Sequence, residues 1–328
     1  MVQPGVSVWP RRCATSSICS PVLGLGTTVR IRVATRGSAL ARWQADRVVD
    51  LLLAAHPGLD SDLEVVFVVV ETTGDRDRTT SLEQMGGQGV FVKEVQAAVL
   101  AGRADVAVHS AKDLPAITIE DLILVSVPER ADPRDALVGC RWDDLRAGAT
   151  VATGSIRRRA HLAHLRPDLS FAGLRGNIGT RIQKAADFDA AVIAAAAIDR
   201  LGIQPNVVDR LESDVLLPQV GQGALAVECR ADDEVTQKLL VAIDHHASRR
   251  CVDAERAFLR ELGAGCDLPV AAHAELHSDE LVLRGALSSA DGSTLLRADL
   301  RGVDGPALGR AVARCLLDDQ GGSALLGR

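Results

Sequence analysis

Val108-His109-Ser110-Ala111-Lys112-Asp113-Leu114-Pro115 closes a short apolar run that begins at Ala104, with Asp105 near its start. The run Ala104–His109 reads as a buried strand, and Leu114-Pro115 stops any helix directly after it. A hydroxyl, an ammonium and a carboxylate (Ser110, Lys112, Asp113) therefore stand together at the carboxyl end of a strand. Ligands of open α/β sheets bind at such strand ends. Taken alone, a Lys-Asp pair is more often a solvated loop ion pair, so the neighbouring elements decide. Val29–Ala34 alternates as a strand, and Ser38–Ala55 has helical periodicity with Ser38 as its N-cap. Leu63–Val70 is a β-branched strand, Phe91–Leu100 an amphipathic helix closed by Gly102, and Leu122–Val127 a strand. Gly86-Gly87-Gln88-Gly89 reads as a flexible loop. This alternation predicts an α/β fold with a parallel sheet covered on both faces.

Asp132-Pro133-Arg134 reads as a crossing into a second α/β unit. Its strands are Ala149–Ala152, Leu169–Ala172 and Ala190–Ala194, and its helices Ser155–Leu165 and Asn177–Ala186. Leu216-Leu217-Pro218 leads through Gly221-Gln222-Gly223 to a strand, Ala224–Glu228, that returns to the first sheet. A long helix, Ser248–Leu262, precedes a change to β alternation over Val270–Leu276, Leu281–Leu287 and Ser293–Leu300, then a last helix, Pro306–Leu317. The domain expectation is 29–128 plus 224–241, 134–217, and a small α+β domain over 246–328. Residues 1–28 hold two Arg and no acid, and are expected to be a disordered extension, a plastid transit peptide being the alternative.

Composition removes several classes of function. A net charge of −6 argues against a nucleic-acid footprint over the whole surface, and 2% aromatic content with no Tyr removes base-stacking platforms. No apolar run is long enough for a transmembrane helix. The seven Cys are odd in number and include no C-x-x-C, which fits neither a disulfide framework nor a zinc site and suggests a reducing cytoplasm. The eight His show no metal-ligand spacing, and no metal is expected. Lysine occurs only at Lys93, Lys112, Lys184 and Lys238, so the basic residues are overwhelmingly Arg, the planar bidentate binder of carboxylates.

Three strand-to-helix turns present Arg with a hydroxyl or an amide. They are Arg36 with Ser38, Thr153-Gly154-Ser155-Ile156-Arg157-Arg158, and Leu174-Arg175-Gly176-Asn177 with Arg181 one turn on. Basic residues at a helix N-terminus oppose its dipole, so a bound anion explains Arg157 and Arg158 better than a bare cap. No P-loop or G-x-G-x-x-G is present, so a nucleotide is a poor candidate for that anion. Gly263-Ala264-Gly265-Cys266-Asp267-Leu268-Pro269 sets a Cys in a turn. It reads equally as a small buried side chain or as a nucleophile or covalent attachment point.

Together these residues resemble the porphobilinogen deaminase (hydroxymethylbilane synthase) family of tetrapyrrole, and hence haem, biosynthesis. The resemblance runs from about Val29 onward. It rests on Ala34-Thr35-Arg36-Gly37-Ser38, Gly89-Val90-Phe91-Val92-Lys93-Glu94, Val108–Pro115, Leu174–Arg181, Gly221-Gln222-Gly223-Ala224, Glu255-Arg256-Ala257-Phe258-Leu259 and Gly265-Cys266. It implies two periplasmic-binding-protein-like α/β domains plus a small α+β C-terminal domain. It implies a transferase that condenses four porphobilinogen molecules head to tail with release of ammonia. It also implies a dipyrromethane cofactor held by a thioether to Cys266. By the same resemblance Asp113 is the catalytic carboxylate. Ser110, Lys112, Thr153, Ser155, Arg157, Arg158 and Gly176 contact the cofactor, and Arg36, Ser38, Phe91, Arg175, Asn177, Arg181 and Arg200 the substrate. A cytoplasmic monomer with no nucleic-acid or membrane partner is the expectation. Gln84 and Gln88 stand where the family commonly has Lys, Gly154 where it has Ser, Ala197-Ile198 where it has Gly-Leu, and Ala272 where it has Gly. A two-lobed anion-binding receptor, or an inactive paralogue, is the competing expectation, since fold alone does not fix function.

Overall fold

A computed structural model describes residues 29–57, 63–72, 89, 91–263 and 268–327. The chain opens with β1 (Val29–Arg36), α1 (Ala39–Ala55), β2 (Leu63–Val70), α2 (Lys93–Leu100), β3 (Val106–Ser110) and β4 (Leu122–Ser126). It continues with β5 (Asp135–Val138), β6 (Thr150–Ala152), α3 (Ile156–Leu165), β7 (Ser170–Ala172), α4 (Ile178–Lys184), β8 (Ala190–Ala194), α5 (Ala195–Arg200) and β9 (Val208–Leu211). There follow β10 (Leu225–Arg230), α6 (Glu234–Val241), α7 (His246–Glu261), β11 (Val270–His277), β12 (Glu280–Ser288), β13 (Leu295–Gly302) and α8 (Gly305–Arg314).

Two five-stranded sheets are built alike, in the orders β2-β1-β3-β10-β4 and β7-β6-β8-β5-β9. Each has a parallel trio beside an antiparallel strand supplied by the chain as it crosses between lobes. β10 runs antiparallel to β3 and β4, and β5 antiparallel to β8 and β9. The expected parallel sheets are thus corrected to mixed ones. A strand entered directly from a crossing arrives at the cleft end of the sheet, and it can only run away from that end. The trios keep the βαβ logic: α1 buries Ala41, Gln44, Ala45, Val48, Val49 and Leu52, a single stripe, against the first sheet. The strand carboxyl ends of both trios consequently face one cleft.

The third unit is an antiparallel meander, β11-β12-β13, under α7 and α8. Its core gathers Phe258, Leu262, Leu281, Leu283, Leu287, Val312 and Leu316, all fully buried. Burying a side chain such as Phe258 is worth about 1.5–3 kcal/mol, so this small unit has a core of its own. α8 starts with Asp304 as N-cap and Pro306 in its first turn, and the chain widens into a π-turn over Cys315–Asp319 where one continuous helix to Leu317 was expected.

Both crossings meet beneath the cleft. Gly221 and Gly223 take positive φ (70° and 85°), and a Cβ on Gly223 would lie 2.5 Å from the Ala131 carbonyl oxygen. The two chain segments touch backbone to backbone there, which only glycine permits.

Candidate functional site

A cleft of about 1200 Å³ opens between the two sheets. That exceeds the several hundred Å³ typical of a site for one small ligand. Its walls carry the cations Arg36, Lys112, Arg158, Arg175, Arg181, Lys184 and Arg200 against the carboxylates Glu71 and Asp113. The excess of guanidinium over carboxylate suits a ligand bearing several carboxylates.

The first-lobe wall comes from β1 and β3. Ser38 caps α1 by accepting from the Ala41 N–H (3.2 Å), which leaves Arg36 at the strand end, its guanidinium 4.0 Å above the Phe91 ring. Phe91 stands in the turn before α2 rather than inside the helix, because the helix begins only at Lys93. Ser110 ends β3 and accepts from Gln44 Nε2 of α1 (2.8 Å), and Ala111–Asp113 form one 3₁₀ turn that carries Lys112 and Asp113 into the cleft. Burial and the nearby Arg158 push the Lys112 ammonium down to about 8, while Asp113 and Asp135 oppose the shift. The strand's other end is held separately: Asp105 takes three hydrogen bonds from Arg32.

The second-lobe wall comes from three turns. Ser155 caps α3 by accepting from the Arg158 N–H, and Asn177 caps α4 by accepting from the Thr180 N–H (2.9 Å). Arg181 is anchored by Nε to the Gly176 carbonyl (2.8 Å). Burial lowers it to about 10, with Arg158 and Arg175 adding repulsion and Asp113 opposing them across the cleft. Arg200 donates to the Gly223 carbonyl (2.6 Å) and lies over the Trp43 ring of the first lobe (5.5 Å), so it bridges the lobes at the cleft. Burial lowers it to about 10 as well.

Arg157 and Arg158 require a correction. The anion that accounts for both is internal: Asp135, fully buried at the start of β5, accepts from Arg157 Nη2 (2.7 Å), Arg158 Nε (3.0 Å) and Arg158 Nη2 (2.7 Å). Although buried, Asp135 is held at about 2 by these two guanidiniums. Arg158 still borders the cleft, while Arg157, 3% exposed and donating to the Leu217 carbonyl, and Thr153, which accepts from the Ser155 N–H, lie behind its wall. Sequence reading missed Asp135 because β5 follows Pro133 with only four residues, too short for a periodic signal. It also missed Gln44 and Gln222. The only signal for Gln222 was its place between two glycines. The remaining predicted residues, Ser38, Phe91, Ser110, Asp113, Arg175, Gly176 and Asn177, border the cleft with Ser155. Cys266, Gln84, Gln88 and residues 1–28 lie outside the described residues.

His161 sits on α3 where the third unit docks and is fully buried. Burial, then Arg157 and Arg297, push it down to about 3, against weaker support from the Pro269 carbonyl and Asp135. The unfolded chain binds this proton from about pH 6.5 downward and the native protein does not. Stability is therefore complete above that pH and lost as the pH falls towards 3. Between neutrality and about pH 5 the loss is about 2 kcal/mol. His161→Gln is expected to remove that part of the acid sensitivity in urea titrations at the two pH values. Parallel pH dependence in the variant and the parent would show that the buried imidazole is not its source.

The sequence matches the family model described as "Porphobilinogen deaminase, dipyromethane cofactor binding domain" over residues 31–238. It matches "Porphobilinogen deaminase, C-terminal domain" over residues 249–318. Among solved structures the chain is similar to a TRAP periplasmic solute binding protein from Pseudomonas aeruginosa PAO1 with bound L-malate, at 11% identity over 71% of this chain and 88% of that one (TM-score 0.38). It is also similar to a TRAP periplasmic solute binding protein from Ralstonia eutropha H16, at 11% identity over 70% and 80% (TM-score 0.37). The periplasmic domain of BvgS from B. pertussis matches at 16% identity over 65% of this chain, which spans 39% of that chain's length (TM-score 0.35). Among the described residues no helix is long and apolar enough to cross a membrane.

Proposed function

The chain belongs to the porphobilinogen deaminase family of tetrapyrrole biosynthesis, and on that premise we propose that it is a hydroxymethylbilane synthase. The reaction condenses four porphobilinogen molecules head to tail, releases one ammonia at each condensation, and ends when water frees the linear hydroxymethylbilane. The observation that carries the reading is Asp113, a carboxylate presented on the same cleft as a ring of guanidiniums from both lobes.

The donor set fits the dipyrromethane named for the matched family. Its acidic side chains suit Lys112 and Arg158, with Ser110, Ser155 and the Gly176 turn beside them, while Arg157 and Thr153 support that wall from behind. Joined to Cys266, the dipyrromethane would supply the pyrrole carbon to which the first porphobilinogen is added. Arg36, Arg175, Arg181 and Arg200 bind the acetate and propionate groups of incoming substrate, with Ser38 and Asn177 setting the turns that carry Arg36 and Arg181. Bidentate pairing fixes register as well as affinity. Phe91 gives Arg36 a platform. Asp113 accepts hydrogen bonds from pyrrole N–H groups, stabilises positive charge as it develops there, and moves the proton lost at each condensation. The cytoplasmic location, the monomeric state and the division into domains 29–128 with 224–241, 134–217 and 246–328 belong to the same proposal.

Intact mass spectrometry tests it. The purified protein, exposed to porphobilinogen, is expected to carry one dipyrromethane adduct, and Cys266→Ser none. A parent protein without adduct that also releases no ammonia from porphobilinogen would favour the anion-binding receptor instead. An adduct retained by Cys266→Ser would move the attachment point.

A further inference from the structure

Gln222 lies at the centre of the two crossings between lobes and is fully buried. Its Nε2 donates to the Pro133 carbonyl (2.7 Å) and to Asp135 Oδ1 (2.9 Å), and its Oε1 accepts from Lys112 Nζ (3.3 Å). Both amide donors and the acceptor are thus engaged. The partners come from different bodies: Lys112 from the first lobe, Pro133 from the crossing, and Asp135 from the second lobe, where it grips Arg158. The backbone of Gln222 is fixed as well. Its carbonyl accepts from Arg130 Nε (2.8 Å), and the preceding Gly221 N–H donates to Glu255 Oε2 (2.7 Å) of the third unit.

A buried residue at these crossings that only filled space would be apolar. This position needs a side chain that donates to a carboxylate on one side and accepts from an ammonium on the other. An amide does both without adding a charge. A carboxylate there would repel Asp135, and an apolar side chain would leave the Pro133 carbonyl and the Lys112 ammonium short of a partner. We propose that Gln222 is a positioning residue that joins the two halves of the cationic wall, holding the Lys112 ammonium of the first lobe in a fixed setting relative to the Asp135-bound Arg158 of the second. The inference rests on the proposed function to the extent that Lys112 and Arg158 are the groups assigned there to the cofactor.

The test reads Lys112 directly and needs no turnover. The full chain is acylated with trace acetic anhydride across a pH series, and each of its four lysines is quantified by peptide mass spectrometry. In the parent, Lys112 is expected to titrate near 8, well below Lys93, Lys184 and Lys238. Gln222→Met, close in volume but without the amide, is expected to lower the Lys112 midpoint by about half a pH unit, roughly threefold in proton affinity, with the other lysines unmoved. Gln222→Glu, which keeps the oxygen and adds charge, is expected to raise it. A Lys112 midpoint unchanged in whichever of these variants folds would overturn the assignment. The parent gives an independent reading by NMR: the Gln222 side-chain amide protons are expected to exchange slowly, and fast exchange would overturn the assignment even if neither variant folds. The mass measurement on the parent separates the two ideas, since a missing adduct sinks the enzyme and leaves the lysine titration interpretable.

Discussion

Asp113→Ala is expected to lower the rate of porphobilinogen consumption by about 10²–10⁴-fold while leaving the unfolding free energy within about half a kcal/mol of the parent. The asymmetry follows from where the carboxylate sits. Among the described residues it takes part in no hydrogen bond of the fold, and it acts on Lys112 and Arg181 only through space. Removing it leaves no buried donor unpaired. It also makes the cleft more cationic, so binding of carboxylate ligands is expected to hold or tighten. The loss should therefore fall on kcat rather than KM, the signature of a group that acts on charge developing in the transition state. Asp113→Asn keeps the shape and removes the charge, and it should lose nearly as much. Turnover within a factor of a few of the parent in both variants would remove Asp113 from the reaction and leave the cleft as a binding site.

The pieces of this site were unequally visible in the sequence. Ser38 was legible as an N-cap because a cap is a local pattern, a short polar side chain ahead of helical periodicity, while Ser155 and Asn177 were read as the first residues of helices that they cap from one position outside. The strand end at Ser110 and the bearing of Lys112 and Asp113 were legible for the same reason. What was hidden is pairing at long range. Arg157 and Arg158 looked like cations waiting for an external anion, since nothing in the local sequence announces that Asp135 lies across from them. The antiparallel β5 and β9 are four residues each, and their place in the sheet is fixed by neighbours distant along the chain. Gln222 shows the limit most clearly. Its glycine neighbours flagged a turn, but its partners at 133, 135 and 112 exist only once both crossings have been folded together.

Glu255→Ala is expected to destabilise the protein by about 3–5 kcal/mol, the largest loss of stability expected of a single substitution here. Glu255 is fully buried on α7 and is gripped by Arg130 from the first crossing (Nη1 to Oε1, 2.6 Å). It also accepts from the Gly221 N–H of the second crossing (2.7 Å) and from the Ala274 N–H of β11 (2.9 Å), with His273 Nδ1 at 3.5 Å. Burial alone would raise this carboxyl, yet Arg130 and His273 hold it down at about 2. Its folded value lies below its unfolded one, so the stabilisation is complete above about pH 4.5 and disappears as the pH falls towards 2. Alanine would leave the Arg130 guanidinium, 9% exposed, without its counter-charge and two backbone donors without acceptors. Glutamine should lie between, since its one amide oxygen can still accept from one of the two backbone N–H groups but cannot neutralise Arg130. The consequence reaches past stability, because β11 begins four residues after Cys266 in the sequence, and Glu255 ties β11 to the second crossing beside Gln222. At temperatures where Glu255→Ala remains folded by circular dichroism, its third unit should be cut by limited proteolysis faster than in the parent, and its adduct after exposure to porphobilinogen should be reduced. A variant matching the parent in urea midpoint, proteolysis and adduct mass would mean that the third unit is held in place by its apolar contacts alone.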